Sequence, residues 1–213
     1  AHELKTPLTS IIGYADALRS RRLDEEKQFM SANYIYTEGK RLEAMSFRLL
    51  DIMVTRRGEV EFTMVSAESL FLYLYDMYVI NKSMKIYFNY DDGMVRAEAN
   101  LIKSVLMNLL DNAFKASEAD GLIEVYGHLM KDGYRFEVKD HGVGIPKEEL
   151  HKITKAFYMV DKSRSRSRNG AGLGLALCAE ILELHKSRLN IRSELGKGTT
   201  MSFTLPLWKE DQL

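Results

Sequence analysis

The apolar pattern of this chain changes period once, near residue 57, and that change limits the fold more than any other feature. Upstream of it every apolar repeat is helical. Leu4, Leu8, Ile11, Ala15 and Leu18 recur at three- and four-residue steps, which places them on one stripe of a helix. After a polar turn at residues 19–24, Ile35, Leu42 and Leu49 lie seven apart, as do Met45 and Ile52, the spacing of a coiled-coil seam. Two such helices pair as an antiparallel hairpin, yet a lone hairpin cannot cover both apolar surfaces. A second copy of the chain, making a homodimeric four-helix bundle, would complete the burial.

The segment Arg56-Arg57-Gly58-Glu59 reads as a short linker, and beyond it the pattern is mixed. Strands are expected over residues 60–65, 84–90, 122–130, 134–140, 187–193 and 199–205, and helices over 67–80, 99–117 and 173–185. Lys131-Asp132-Gly133 joins two of the strands as a hairpin. Elements in this order suggest a sheet covered on one face by helices. The fold class expected is therefore α+β: a helical hairpin over residues 1–57, then an α/β sandwich over 58–213.

Composition narrows the partners. Thirty basic residues balance thirty acidic ones, so nothing points to nucleic acid or an anionic membrane surface as the main partner. Cys178 is the only cysteine, which excludes an internal disulfide and fits a reducing cytoplasm. The most apolar stretch, residues 70–80, contains Asp76 and falls short of the roughly 20 residues a bilayer span needs. The chain opens on Ala1-His2 with a helical pattern under way, as a fragment does when its upstream part is missing. Any membrane attachment is expected only through that part.

Four places carry residues suited to chemistry. On a helix advancing about 100° per residue, His2 lies roughly opposite the Leu4-to-Leu18 stripe, on an outer face shared with Thr6, Thr9 and Gly13. Pro7 removes a bond to the turn before it and should kink the helix there. An exposed imidazole beside a carboxylate, here Glu3, can act as a nucleophile, although most such histidines are merely solvated. Zinc is disfavoured: Thr6 stands where the paired-histidine motif needs its second histidine, and His128, His141, His151 and His185 are scattered. On the helix over 99–117, Ser104, Asn108, Asn112 and Lys115 share one edge. Carboxamide oxygens there can ligate Mg²⁺ and the lysine can meet phosphate; an ordinary polar helix edge has the same pattern. Asp140 ends a strand and is followed by Gly142 and Gly144, which let backbone turn and approach a neighbour closely. Gly170-Ala171-Gly172-Leu173-Gly174 runs straight into a helix, whose first amides attract phosphate.

Singly these signals are weak; their order is not. His2-Glu3-Leu4-Lys5-Thr6-Pro7-Leu8, then Asn108-Leu109-Leu110-Asp111-Asn112-Ala113-Phe114-Lys115, then Asp140-His141-Gly142-Val143-Gly144, then Gly170-Ala171-Gly172-Leu173-Gly174-Leu175, then Gly196-Lys197-Gly198-Thr199 follow one another. Together they resemble the histidine, asparagine and glycine boxes of bacterial two-component sensor histidine kinases, over essentially the whole chain. Ala156-Phe157-Tyr158 resembles that family's phenylalanine box.

The resemblance implies a kinase that phosphorylates its own histidine from ATP and passes the group to an aspartate of a response regulator. It also implies phosphatase activity towards that regulator. By this likeness His2 is the acceptor, Glu3 orients it and serves as base, and Thr6 helps position water in the phosphatase reaction. Asp140 accepts from the adenine amino group, Asn108 holds Mg²⁺ with Asn112 beside it, and Lys115 neutralises phosphate. Gly142, Gly144, Gly170, Gly172, Leu173, Gly174 and Thr199 complete the ATP site, and the basic run 162–168 lies in a lid over ATP. The chain departs from the family's usual pattern at Ala116, where a tyrosine is common, and at Met201, where a phenylalanine is common. A gyrase-like ATPase clamp, a degenerate kinase scaffold and a serine kinase antagonising a sigma factor are the rivals. The amino-terminal hairpin and the retained polar residues count against them.

Overall fold

The computed structural model describes residues 2–21, 23–56, 60–79, 85–118, 120–156, 158 and 172–209; at 2–5, 40–41, 43–56 and 79 it describes the backbone alone. Helix α1 (His2–Ser20) is followed by α2 (Glu25–Arg56), and the two lie side by side. Asp24 starts α2: its carboxylate accepts from the Lys27 amide at 2.9 Å, and Glu25 and Glu26 sit in the first turn, where negative charge meets the free amides.

The apolar stripe of α1 divides in two. Pro7, Ile11, Tyr14 and Leu18 are buried or half-buried, and Tyr14 stacks on Tyr34 of α2 at 4.7 Å. Leu8 and Ala15, expected on the same stripe, are exposed instead, with Ile12 beside them. They lie about 60° around the helix from Ile11 and Leu18, outside the arc that one neighbouring helix can cover. On α2, Ser31 and Ile35 turn inwards while Phe29 is 75% exposed and Met30, Tyr34 and Tyr36 are also exposed.

Beyond the hairpin, β1 (Thr63–Ser66) leads into α3 (Ala67–Val79), then β2 (Lys85–Tyr90), β3 (Met94–Ala97), α4 (Ala99–Ala116), β4 (Leu122–Met130) and β5 (Gly133–Asp140). The chain closes with α5 (Gly174–Leu184), β6 (Asn190–Glu194) and β7 (Gly198–Leu205). The five-stranded sheet has the order β2-β4-β5-β7-β6; β2 and β4 are parallel and the other pairs antiparallel. Strand alternation sends Ile123, Val125, Phe136, Val138, Met201 and Phe203 to the buried face, where they join Leu70 and Phe71 of α3, Leu106, Leu109 and Leu110 of α4 and Ile181 of α5 in one core.

Three sequence expectations need correction. Strand β3 had not been expected; it pairs with β1 and is bridged to the carboxy-terminal segment through Val95 and Leu207. The first strand begins at Thr63 rather than residue 60, because Phe62 packs against a histidine ring instead. The strand expected from residue 187 begins at Asn190, because Lys186 takes a left-handed φ of 54° and the Ser187 amide donates back to the Leu182 carbonyl at 2.8 Å.

Candidate ATP-binding site

Asp140 is the fixed point of the site. It ends β5, is 5% exposed, and faces Thr199 across the ladder to β7. Its Oδ1 accepts from the Gly142 amide at 2.9 Å and the Thr199 amide at 3.2 Å. Its Oδ2 accepts from none of the described residues. Burial pushes the carboxyl above the usual range, and the two amide bonds and His141 pull against that. A buried carboxylate with one oxygen anchored and one free is an acceptor waiting for an outside donor.

The glycines near Asp140 are dictated by the protein's own backbone. A Cβ at Gly142 would stand 2.2 Å from the Ala116 carbonyl oxygen, the oxygen that accepts from the Val143 amide. At Gly144, φ is +68° and a Cβ would meet the Glu194 carbonyl at 2.1 Å; at Gly198, φ is +106° and a Cβ would meet the Asp140 carbonyl at 2.1 Å. Of these glycines, Gly142 and Gly144 are expected to complete the ATP site. What the structure adds is that they let β5, β7 and the end of α4 close around Asp140.

Helix α4 supplies the polar edge. Glu98 caps its start, its carboxylate accepting from the Leu101 amide at 2.6 Å, and Ile102, Leu106, Leu109, Leu110 and Ala113 bury the opposite face. Asn108, Asn112 and Lys115 are therefore half-buried along the other side. The Asn108 Nδ2 donates to the Ser104 carbonyl at 2.8 Å, which leaves its Oδ1 without a donor among the described residues. That is a hard oxygen of the kind Mg²⁺ takes, so the residue present fits the expected ion.

Gly174 opens α5, and Gly172 takes a φ of +66° just before it. Leu173 is 1% exposed and packed inwards, so only its main chain can meet a ligand. Thr199 is likewise set behind the site: it is 4% exposed, its amide holds Asp140 and its hydroxyl bonds Ser193 at 2.9 Å. Both are expected among the ligand-binding residues, and both are buried. Gly170, Phe157 and the basic run 162–168 lie outside the described residues, as do the side chains of His2 and Glu3. Thr6, Thr9 and Gly13 are exposed on α1, as expected. Tyr158 donates to the Glu149 carboxylate, and Lys152 lies over its ring.

One cluster next to Asp140 escaped the sequence reading. On the solvent face of the sheet, Glu124 accepts from Lys139 and His141 at 2.7 Å each and from the Tyr126 hydroxyl at 2.5 Å. Lys139 first, then Tyr126 and His141, hold its carboxyl down to about 2. The register that sets Glu124 opposite Lys139 joins outward positions of two strands, and nothing short of the register could pair them. No group of metal-ligating His, Cys, Asp and Glu occurs among the described residues, and no described helix is long and apolar enough to cross a membrane.

Comparison with known proteins agrees with this geometry. Residues 97–209 match the family of histidine kinase-, DNA gyrase B- and HSP90-like ATPases, and residues 1–53 match the His Kinase A (phospho-acceptor) domain. The sensor histidine kinase WalK of Bacillus subtilis is 31% identical over 223 residues, covering 100% of this chain and 36% of the relative. The sensor histidine kinase YclK of the same organism is 30% identical over 227 residues, covering 100% of this chain and 46% of the relative. The chain thus spans less than half the length of either. Among solved structures, histidine kinase ThkA in complex with response regulator protein TrrA superposes with a TM-score of 0.76 at 24% identity, over 98% of this chain and 60% of that one, and so shares its fold. With the acceptor domain in front and the ATPase domain behind, the chain belongs to the histidine kinase-, DNA gyrase B- and HSP90-like ATPase family, as the core of a two-component sensor histidine kinase.

Proposed function

We propose that the chain phosphorylates its own His2 from ATP and passes the phosphoryl group to an aspartate of a response regulator receiver domain. Residues 1–57 act as the dimerising phosphotransfer hairpin and 58–213 as the ATP-binding domain. The observation that carries this reading is Asp140, a buried carboxylate with Oδ1 anchored by two amides and Oδ2 left to accept from the adenine amino group.

With adenine there, the γ-phosphate extends towards the edge of α4, where Asn108, Asn112 and Lys115 meet the phosphates. Bound Mg²⁺, held by Asn108 with Asn112 beside it, supplies charge neutralisation on the phosphate oxygens. The His2 ring nitrogen attacks the γ-phosphorus in line, the bond to the β-phosphate oxygen breaks, and ADP leaves. Glu3 orients the ring and takes the proton that the ring gives up. Such a reaction asks for positioning and charge stabilisation more than covalent chemistry. A receiver carboxylate then attacks that phosphorus, the phosphorus–nitrogen bond breaks, and His2 leaves as the free imidazole. Thr6, exposed one helical turn from residue 2, positions the water that hydrolyses the regulator's phosphoaspartate. The second copy covers the exposed Leu8, Ile12 and Phe29, and the cytoplasm, beneath a membrane reached through an upstream region, is the compartment proposed. The test is incubation with γ-labelled ATP and Mg²⁺. Acid-labile, alkali-stable label on the chain supports the reading, and its absence overturns it.

A further inference from the structure

A buried histidine that the proposed reaction leaves unused follows the last residue of α5. His185 is 3% exposed and both of its ring nitrogens are bonded. Nδ1 lies 2.7 Å from the Ile181 carbonyl oxygen, and Nε2 lies 3.1 Å from the backbone nitrogen of Glu98. A carbonyl can only accept and an amide can only donate, so Nδ1 carries the proton and Nε2 supplies a lone pair. The ring is therefore neutral. Burial, with Arg96 nearby, favours that form, and the Ile181 bond and Glu98 oppose it less strongly.

Glu98 is also the cap of α4. One imidazole thus pins the end of α5 to the start of α4, and a second tie, from the Cys178 thiol to the Val105 carbonyl at 3.8 Å, follows midway. The two helices run antiparallel. At their other ends stand Gly174 and the row Asn108, Asn112 and Lys115, with Asn112 about 21 Å along α4 from Glu98. A third element reaches the same ring. Phe62, between the hairpin and β1, meets His185 edge-on with centroids 4.9 Å apart, and Arg96 covers its face at 4.8 Å.

We propose that His185 is a positioning residue that sets the spacing of α4 and α5 for nucleotide, and that Phe62 transmits to it the placement of the segment leaving the hairpin. The inference rests on the ATP-binding reading above. No atom of His185 touches nucleotide; its effect on affinity runs through the Glu98 amide bond. The two bonds of the ring can be separated by substitution. In His185→Gln the Oε1 keeps an acceptor for Glu98 and loses the δ donor. In His185→Asn the Nδ2 keeps the donor for Ile181 and loses the acceptor.

The test is calorimetric titration of the full chain with ATP and Mg²⁺, with ATP-dependent autophosphorylation measured alongside and thermal melting confirming that each variant folds. His185→Asn is expected to weaken ATP about tenfold, the effect of one hydrogen bond, while His185→Gln stays within about threefold of the parent. The loss should raise KM for ATP and leave kcat at saturating ATP unchanged. Phe62→Ala should weaken binding in the parent and add nothing in the His185→Asn background, because the two act through one joint. Parent-like affinity in His185→Asn, or equal loss in both variants, overturns the role of the Glu98 bond. Additive effects of Phe62→Ala and His185→Asn overturn the link to the hairpin. A parent that binds no ATP overturns the ATP-binding reading itself, an outcome distinct from either.

Discussion

Replacing Asp140 by asparagine separates affinity from stability, because the same burial acts on both in opposite directions. The Oδ1 anchors to Gly142 and Thr199 require an oxygen on that side, so the asparagine amide nitrogen must occupy the Oδ2 position. It then faces the adenine amino group donor to donor. A hydrogen bond to a charged acceptor contributes about 1.5–3 kcal/mol, so ATP affinity should fall about ten- to a hundredfold. Stability should not follow. The Asp140 carboxyl is held above its ordinary value of 3.8 by burial, so the folded state binds a proton more tightly than the unfolded chain does. The protein therefore loses stability as pH rises from that value through the folded pKa, because ionising the buried carboxyl carries a cost. Asparagine removes that cost while keeping both amide bonds. Calorimetry with ATP and Mg²⁺, and melting of the nucleotide-free protein at pH 7.5, make the two readings. Weak binding with a melting temperature equal to or above the parent's is expected. Unchanged ATP affinity would take Asp140 out of the site, and a large fall in melting temperature would show that its charge supports the fold.

Three further outcomes follow from named contacts. Thr6→Ala should keep most autokinase activity and lose most phosphatase activity towards a phosphorylated cognate regulator, checked by parallel assays; equal loss of both would make Thr6 structural. Gly144→Ala should lower the melting temperature more than Gly196→Ala. Both force a left-handed residue, a cost of about 1–2 kcal/mol, but only Gly144 also drives its Cβ to 2.1 Å from a carbonyl, while Gly196 has nothing within 4 Å. Ile12→Glu combined with Phe29→Glu should yield monomers in sedimentation at micromolar concentration with helix content unchanged, since both side chains are exposed and the Tyr14–Tyr34 stack is untouched.

The parts legible from sequence are those written in local periodicity. Helix α4 announces itself through Ile102, Leu106, Leu109 and Ala113, and its polar edge through Asn108, Asn112 and Lys115. The β4–β5 hairpin is visible because two alternating runs flank Lys131-Asp132-Gly133. What stayed hidden depends on partners far along the chain. Strand β3 is four residues long and exists because β1 and the Pro206–Trp208 segment bond to it, neither of which its own sequence specifies. Asp140 could be marked as an acid at a strand end, but not as one whose Oδ1 is taken by the amide of a residue 59 positions later. The split stripe of α1 had the same origin: periodicity put Leu8 with Ile11, and only the position of α2 decides which of them is covered. His185 passed for one of several scattered histidines because its partners, Glu98 and Phe62, are remote in sequence.

In the proposed reaction, ATP held at Asp140 phosphorylates His2. The most direct measurement is site mapping by mass spectrometry, under alkaline conditions, of the chain labelled from ATP and Mg²⁺, with His2→Ala as the paired variant. One phosphohistidine is expected, at His2, absent from His2→Ala, with none at His128, His141, His151 or His185. Label at normal rate in His2→Ala, or phosphate mapped to serine, threonine or another histidine, would contradict it.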